Sequence, residues 1–299
     1  MKAAPFEYYR PADIDEACAI LAGDDSARVI AGGQTLVPMM AMRLARPTKL
    51  IDINRIATLS YIRADGDAIA IGATTRQCVI ERDPLIAAKV PLLARAVPHI
   101  GHAATRARGT IGGSLANADP AAECALIAVT LDAVLSYRAD GLTSDIAARD
   151  FFVAAMVTNL PAGAVLTAVR FSVWPKGNNG ERVGIGFHEV SARASDFAFV
   201  SAAAQVALGA DGTCKKIVIG IGAVTDFPVR LSAAETQLTG TTLEPAAVKA
   251  AVTQALAGID ALDDLHATAA YRARVAVKLA TRAVADARAH ALGENIHAH

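Results

Sequence analysis

Apolar residues recur along this chain with two periods, and their alternation divides it into three stretches. From residue 6 to about 54, short β-type runs are set between helical ones. Residues 14–21 carry apolar side chains at helical spacing, with Asp13 placed before them as an N-cap. Residues 28–31 read as a strand, 36–44 as a helix and 49–53 as a strand, the order of a small parallel βαβ unit. From 56 to about 174 the pattern is mixed. A strand over 68–73 leads to a helix opened by Thr74 and Thr75 and running to 80, and a second helix covers 84–97. A further helix starts at Pro120, a residue favoured in a first helical turn, and runs to 131, before strands over 133–137 and 164–173. The breaker-rich loop 174–180 (WPKGNNG) marks a domain boundary. Beyond it, strands are predicted over 184–190, 197–208 and 216–223, with Asp211-Gly212 as a hairpin turn. Helices over 232–238, 244–257 and 267–291 complete an α+β pattern without internal repeats.

Two glycine pairs interrupt these elements. Ala31-Gly32-Gly33-Gln34-Thr35-Leu36 follows the run Val29-Ile30, and Thr110-Ile111-Gly112-Gly113-Ser114-Leu115 precedes Asn117-Ala118-Asp119-Pro120. A double glycine lets the backbone turn sharply and lets a ligand come close to it. Successive amides in such a turn form a nest for anions, and a following helix start strengthens it. The first nest would lie at the carboxyl end of its strand, a usual ligand position in α/β sheets. Two nests nearly 80 residues apart suggest one extended anion such as a pyrophosphate. The other reading of each loop is a structural turn that needs glycine for φ > 0.

Composition narrows the field. With 299 residues, 53% of them apolar, the chain can build two or three modest domains, and disorder is disfavoured. Lys+Arg and Asp+Glu both number 29, and a net charge of zero argues against nucleic acid or an anionic membrane as the main partner. No apolar run reaches the roughly 18 residues of a membrane span, and the N-terminus shows no leader-type apolar stretch, so the expected compartment is the cytoplasm. Cys18, Cys78, Cys124 and Cys214 stand apart, without the spacing of a zinc or iron–sulfur site, and read as reduced small hydrophobes. Any electron-transfer cluster would have to sit on another chain. A nicotinamide site of the G-x-G-x-x-G type is excluded, because that motif does not occur.

The two loops resemble the FAD loops of the flavoprotein (medium) subunits of molybdenum hydroxylases, the carbon monoxide dehydrogenase and xanthine dehydrogenase group. The likeness extends over the chain: Phe6-Glu7-Tyr8 with Arg10-Pro11, Leu50-Ile51-Asp52-Ile53, Ile71-Gly72-Ala73-Thr74-Thr75, Arg106-Ala107-Arg108-Gly109-Thr110, Asp196-Phe197-Ala198 and Tyr271-Arg272 match in order and spacing. Thr35 stands where the family often has Ser, and Ser114 where it often has Asn. The cysteine-bearing insertion of relatives with an extra cluster is absent. The resemblance implies a two-part PCMH-type FAD-binding domain over residues 1–175, with an α/β portion to about 55 and an α+β portion from 56. It implies a second domain over 180–291, of antiparallel strands and helices. It also implies non-covalent FAD on this chain, and partners that carry molybdopterin (a large subunit) and two 2Fe-2S clusters (a small subunit), assembled as a dimer of heterotrimers. The substrate, whether carbon monoxide, a purine, an N-heterocycle or an aldehyde, would belong to the large subunit, and the final electron acceptor stays open.

On this reading the amides of Gly32, Gly33, Gln34 and Thr35 bind one side of the pyrophosphate and those of Ile111, Gly112, Gly113 and Ser114 the other, flanked by Ala31, Leu36 and Thr110. The hydroxyls of Thr35, Thr110 and Ser114 could add bonds to phosphate oxygens. Glu123 is either a carboxylate accepting from ribityl hydroxyls, as the resemblance implies, or a solvated acid at a helix start. Asn117 and Asp119 shape the loop or touch the cofactor. Phe187 and His188 lie on a strand that in relatives approaches the flavin; the alternative is a core Phe and a surface His. His99 and His102 lack a third partner at metal-site spacing. Arg106 and Arg108 offset phosphate charge or form ordinary ion pairs. No side chain is expected to act as acid or base. Rival functions are a stand-alone FAD oxidase of the vanillyl-alcohol-oxidase type, disfavoured by Gln34 where a covalent His or Cys would stand, and a flavin-free scaffold.

Overall fold

In the computed structural model, residues 2–174 and 181–294 are described; the breaker loop 175–180 and the tail around His297 and His299 lie outside them. The first portion contains β1 (Glu7–Tyr9), α1 (Ile14–Ala22), β2 (Arg28–Ile30), α2 (Leu36–Ala41) and β3 (Lys49–Asp52). Its strands form a parallel sheet in the order β1-β3-β2. Asp13 caps α1 by accepting from the Glu16 N–H, and the helix buries Ala17 and Cys18 against Ile51 and Ile53. The expected helix over 36–44 stops at Ala41. Arg43 takes a left-handed conformation (φ 61°), and the amides of Leu44 and Ala45 fold back on the Met39 carbonyl.

The middle portion starts with β4 (Ile62–Asp65), β5 (Ala68–Gly72), α3 (Gln77–Arg82), α4 (Pro84–Lys89), α5 (Pro91–Ala96), α6 (Ala103–Arg108), α7 (Ile111–Asn117) and α8 (Glu123–Thr130). It continues with β6 (Val134–Ala139), β7 (Leu142–Ala147), α9 (Ala148–Phe151), β8 (Phe152–Ala154), β9 (Val157–Thr158) and β10 (Val165–Ser172). The main sheet runs β4-β5-β10-β6-β7, and all its pairings are antiparallel. Three helix expectations are corrected here. The helix after β5 opens at Gln77, because the Thr75 hydroxyl is engaged with the Tyr61 backbone. The single helix over 84–97 is two, because Pro91 forces Val90 out of the helical region (φ −130°, ψ 57°). The helix expected from Pro120 begins at Glu123; the Asp119 carboxylate accepts from the Ala121 N–H, and the Pro120 carbonyl accepts from Ala223.

The last portion is a sheet of β11 (Arg182–Ser191), β12 (Ala198–Leu208), β13 (Cys214–Gly222) and β14 (Val229–Arg230), all antiparallel, followed by α10 (Ser232–Leu238), α11 (Pro245–Leu256) and α12 (Ala269–Leu292). Gly184 and Gly186 let α12 lie directly on β11: a Cβ at either would come within 1.9 and 2.1 Å of the Ala287 and Ala283 carbonyl oxygens. The helix α8 is buried along its whole length because β13 covers the side that the middle sheet leaves open, with Thr130 and Leu126 against Gly220. That contact seats the last portion beside the cleft described next. No helix among the described residues is long and apolar enough to cross a membrane.

Candidate functional site

A cleft of about 570 Å³ opens between the three portions. Of the residues singled out in the sequence, Ala31, Gly32, Gly33, Gln34, Thr35, Leu36, Thr110, Gly112, Gly113, Ser114, Asn117 and Glu123 line it. The two glycine loops, far apart in sequence, thus share one cavity. They also touch: a Cβ on Gly32 would sit 2.5 Å from the Arg108 carbonyl oxygen and 2.8 Å from the Gly109 Cα, just before the second loop.

The two loops differ in what they offer. In the first, Gly33 takes φ 70°, a region that disfavours a side chain, and the helix α2 starts immediately after. The carbonyls of Gly33 and Thr35 accept from Val37 and Met39, while the amides of Gly32, Gly33, Gln34 and Thr35 donate to no acceptor among the described residues. The Thr35 hydroxyl makes no capping bond. Four adjacent free donors at a cavity wall make a nest for an anion.

The second loop is not the mirror of the first, and the expectation for its amides is corrected. Ile111 donates to the Thr75 carbonyl, Gly112 to that of Ala73, Gly113 to the Thr110 hydroxyl and Ser114 to the Thr110 carbonyl. The pair forms the first turn of α7, capped by Thr110, and neither glycine has a positive φ. Gly112 is required by packing, since its Cβ would lie 2.5 Å from that of Ala73. Ile111 is fully buried and does not line the cleft. Gly113 keeps the wall low, because the atoms its Cβ would meet are the Thr110 hydroxyl at 2.7 Å and the Ala31 Cβ at 3.9 Å. This loop supplies shape and the Ser114 side chain.

Glu123 opens α8 at the base of the cleft and is only 9% exposed. Burial pushes its carboxyl up to about 8; the charges of Glu189 and Asp119 act in the same direction, a bond from its own backbone amide in the other. At neutral pH it is therefore protonated, a donor as well as an acceptor. Burial also raises the Asp119 carboxyl. Asn117, at the end of α7, sends its amide toward the Met156 sulfur at 3.6 Å.

Phe187 and His188 do not reach the cleft, which corrects the expectation that they cover a ring there. Phe187 is 3% exposed in the core with its ring 4.8 Å from that of His99, and His188 pairs with Asp286 at 2.8 Å. The strand β11 alternates its side chains between the middle portion and α12, so neither faces the cavity. The last portion instead contributes Ser195, Asp196 and Phe197, the last 68% exposed. Asp196-Phe197-Ala198 was visible as a motif, but nothing in its pattern marked it as a wall. Gln77 was also missed: it lines the cleft with its buried Oε1 unpartnered. Arg106 pairs with Glu81 at 2.8 Å, His99 approaches Glu189 at 3.3 Å, and no group of three potential metal ligands occurs among the described residues.

Comparison with known proteins adds the family. The FAD binding domain in molybdopterin dehydrogenase matches residues 4–174, and the CO dehydrogenase flavoprotein C-terminal domain matches 185–287. The chain is 35% identical to the 6-hydroxypseudooxynicotine dehydrogenase complex subunit alpha of Paenarthrobacter nicotinovorans, over 96% of each chain. It is 34% identical to the carbon monoxide dehydrogenase medium chain of Afipia carboxidovorans, over 96% of this chain and 98% of that one. A crystal structure of Cu,Mo-CO dehydrogenase superposes with a TM-score of 0.93 at 33% identity, covering 97% of this chain and all of the other.

Proposed function

Because this chain belongs to the FAD-binding medium subunits of the molybdenum hydroxylases, we propose that it is the electron outlet of such a complex. It takes electrons from the 2Fe-2S clusters of a small partner subunit and passes them through FAD to an acceptor. The substrate is oxidised on a large molybdopterin-bearing subunit, and the assembly is a dimer of heterotrimers. When bound, FAD supplies the exchange between one-electron and two-electron steps.

The observation that carries this reading is the run of free amides from Gly32 to Thr35 on the wall of the cleft. They supply the pyrophosphate with donors that no carbonyl among the described residues competes for. Gly33 gives the loop its left-handed turn, Gly113 keeps a side chain out of the phosphate path, and the Thr35 and Ser114 hydroxyls complete the donor set. Glu123, protonated at neutral pH, and the unpartnered Gln77 Oε1 offer polar atoms for the sugar-like part of the cofactor. Phe197 offers an apolar face from the last portion. The residues therefore fit FAD, and Gln34 at the loop offers no covalent attachment. The working units are residues 1–175 and 180–291, and the four free cysteines suit a reducing compartment, the cytoplasm.

Denaturing the purified complex should release about one FAD per copy of this chain into solution, and the chain freed of its partners should not oxidise substrate. Flavin that stays with the precipitated chain contradicts the non-covalent site. A lone chain turning over an organic substrate with neither molybdenum nor iron present contradicts the outlet role.

A further inference from the structure

Beside the first glycine loop, and sharing residues 30–34 with the main cleft, lies a second cavity of about 410 Å³ lined also by Tyr8, Asp52, Asn54 and Arg108. On its wall a chain of polar contacts ends on the backbone of the loop itself. The Asn54 amide donates through Nδ2 to the Ala31 carbonyl at 2.7 Å and to the Asp52 carboxylate at 2.6 Å. Its Oδ1 accepts from Arg76 Nη2 at 2.7 Å. Arg76 donates through Nη1 to the Arg108 carbonyl, and the Tyr8 hydroxyl donates to Asp52. Burial pushes the Asp52 carboxyl up, but the bonds donated by Tyr8 and Asn54 outweigh it and hold the group below its ordinary range.

The chemistry of this chain admits one orientation of the Asn54 amide. Its NH₂ faces two acceptors, a carboxylate and a carbonyl, and its oxygen faces a guanidinium, which only donates. Flipping it would set donor against donor. In a trans peptide the C=O and the following N–H point in opposite directions, and no cis peptide occurs among the described residues. A carbonyl of Ala31 drawn toward Asn54 therefore turns the Gly32 N–H the other way, away from Asn54. The same network reaches the second loop: the Arg108 carbonyl that Arg76 holds is the atom a Cβ on Gly32 would strike at 2.5 Å.

We propose that Asn54 is a positioning residue for pyrophosphate binding: held by Asp52 and Arg76, it fixes the Ala31–Gly32 peptide so that the first donor of the nest faces the cofactor. It lines the second cavity and not the main cleft, and it acts through the loop backbone that both cavities share. The inference rests on the reading of the first loop as the phosphate nest.

The test uses the full chain stripped of flavin, as wild type, Asn54→Ala and Asn54→Leu, with FAD and with riboflavin, which lacks the phosphates. Asn54→Leu keeps the side-chain volume and so separates the lost bond from lost packing. Both variants should bind FAD about tenfold more weakly or worse, the size of one good hydrogen bond to a charged group, while riboflavin affinity stays within about twofold. The ³¹P resonances of bound FAD should shift in the variants. Unchanged FAD affinity, or FAD and riboflavin weakened by the same factor, overturns the role of Asn54. A wild-type chain that binds riboflavin as tightly as FAD overturns the nest reading beneath it.

Discussion

Glu123 gives the structure a pH dependence whose sign and size can be worked out. An ordinary glutamate titrates at 4.5, and in the fold burial moves this one to about 8. Between those values the folded chain holds a proton that the unfolded chain has lost, so folding binds a proton and stability must fall as pH rises. Each pH unit between the two values is worth about 1.4 kcal/mol, so the flavin-free chain should lose about 3 kcal/mol by neutral pH and no more than about 5 kcal/mol by pH 8. Below about 4.5 the carboxyl is protonated in both states and the effect vanishes. Glu123→Gln is neutral at every pH and should not lose this part. The assay is urea unfolding of the flavin-free chain at about pH 5, 6, 7 and 8, wild type against variant. The variant should match the wild type near pH 5 and exceed it increasingly toward pH 8. Asp119 and Glu189 interact with Glu123, so the curve belongs to the cluster and its midpoint to no single residue. A stability difference that is the same at pH 5 and pH 8 refutes the reasoning, because it would mean that Glu123 keeps an ordinary acidity in the fold.

Other expectations follow from single contacts. Gly113→Val should abolish FAD binding while lowering the melting stability of the flavin-free chain by only about 1 kcal/mol, the loss of the Thr110 cap, because its branches enter the cleft; retained flavin would refute the wall assignment. Gly32→Ala should instead destabilise the flavin-free chain itself by about 1–3 kcal/mol, since its Cβ meets the Arg108 backbone, and a normal urea midpoint would contradict that packing. Arg272→Leu removes a buried guanidinium that holds the Phe199 and Ala223 carbonyls and Asp264, and should cost about 2–4 kcal/mol in urea unfolding. Asp264 owes its lowered pKa, about 2, first to the amides of Ala267 and His266 and only then to Arg272, so Asp264→Asn should shift the urea midpoint at neutral pH less than Arg272→Leu does, and an equal or larger shift would contradict that order.

Where local chemistry decides, the sequence was readable. The Asp13 cap, the β12–β13 hairpin at Gly212 and the long helix α12 depend on neighbours a few residues away, and their signals stand in the chain. Even the missed β6–β7 hairpin carries an Asp140-Gly141 turn with positive φ at both residues, a signal of the same kind. The second glycine pair is a different matter. Gly33 serves a left-handed turn, Gly32 and Gly112 serve close approach of another backbone or side chain, and Gly113 keeps a wall low, yet all four are written as the same letter in two Gly-Gly pairs. What separates a nest from a helix start is where the amides go. For Ile111 and Gly112 that is decided by the carbonyls of Thr75 and Ala73, brought there by the sheet. The same holds for Phe187: a strand's alternation says which residues share a face, but which face meets the cleft depends on how α8 and α12 sandwich the sheet. A binding motif with two similar halves therefore has to be read twice, once for its residues and once for the partners their backbone already has. Among the described residues only the first loop passes the second reading, so its backbone amides are the ones left free for an anion.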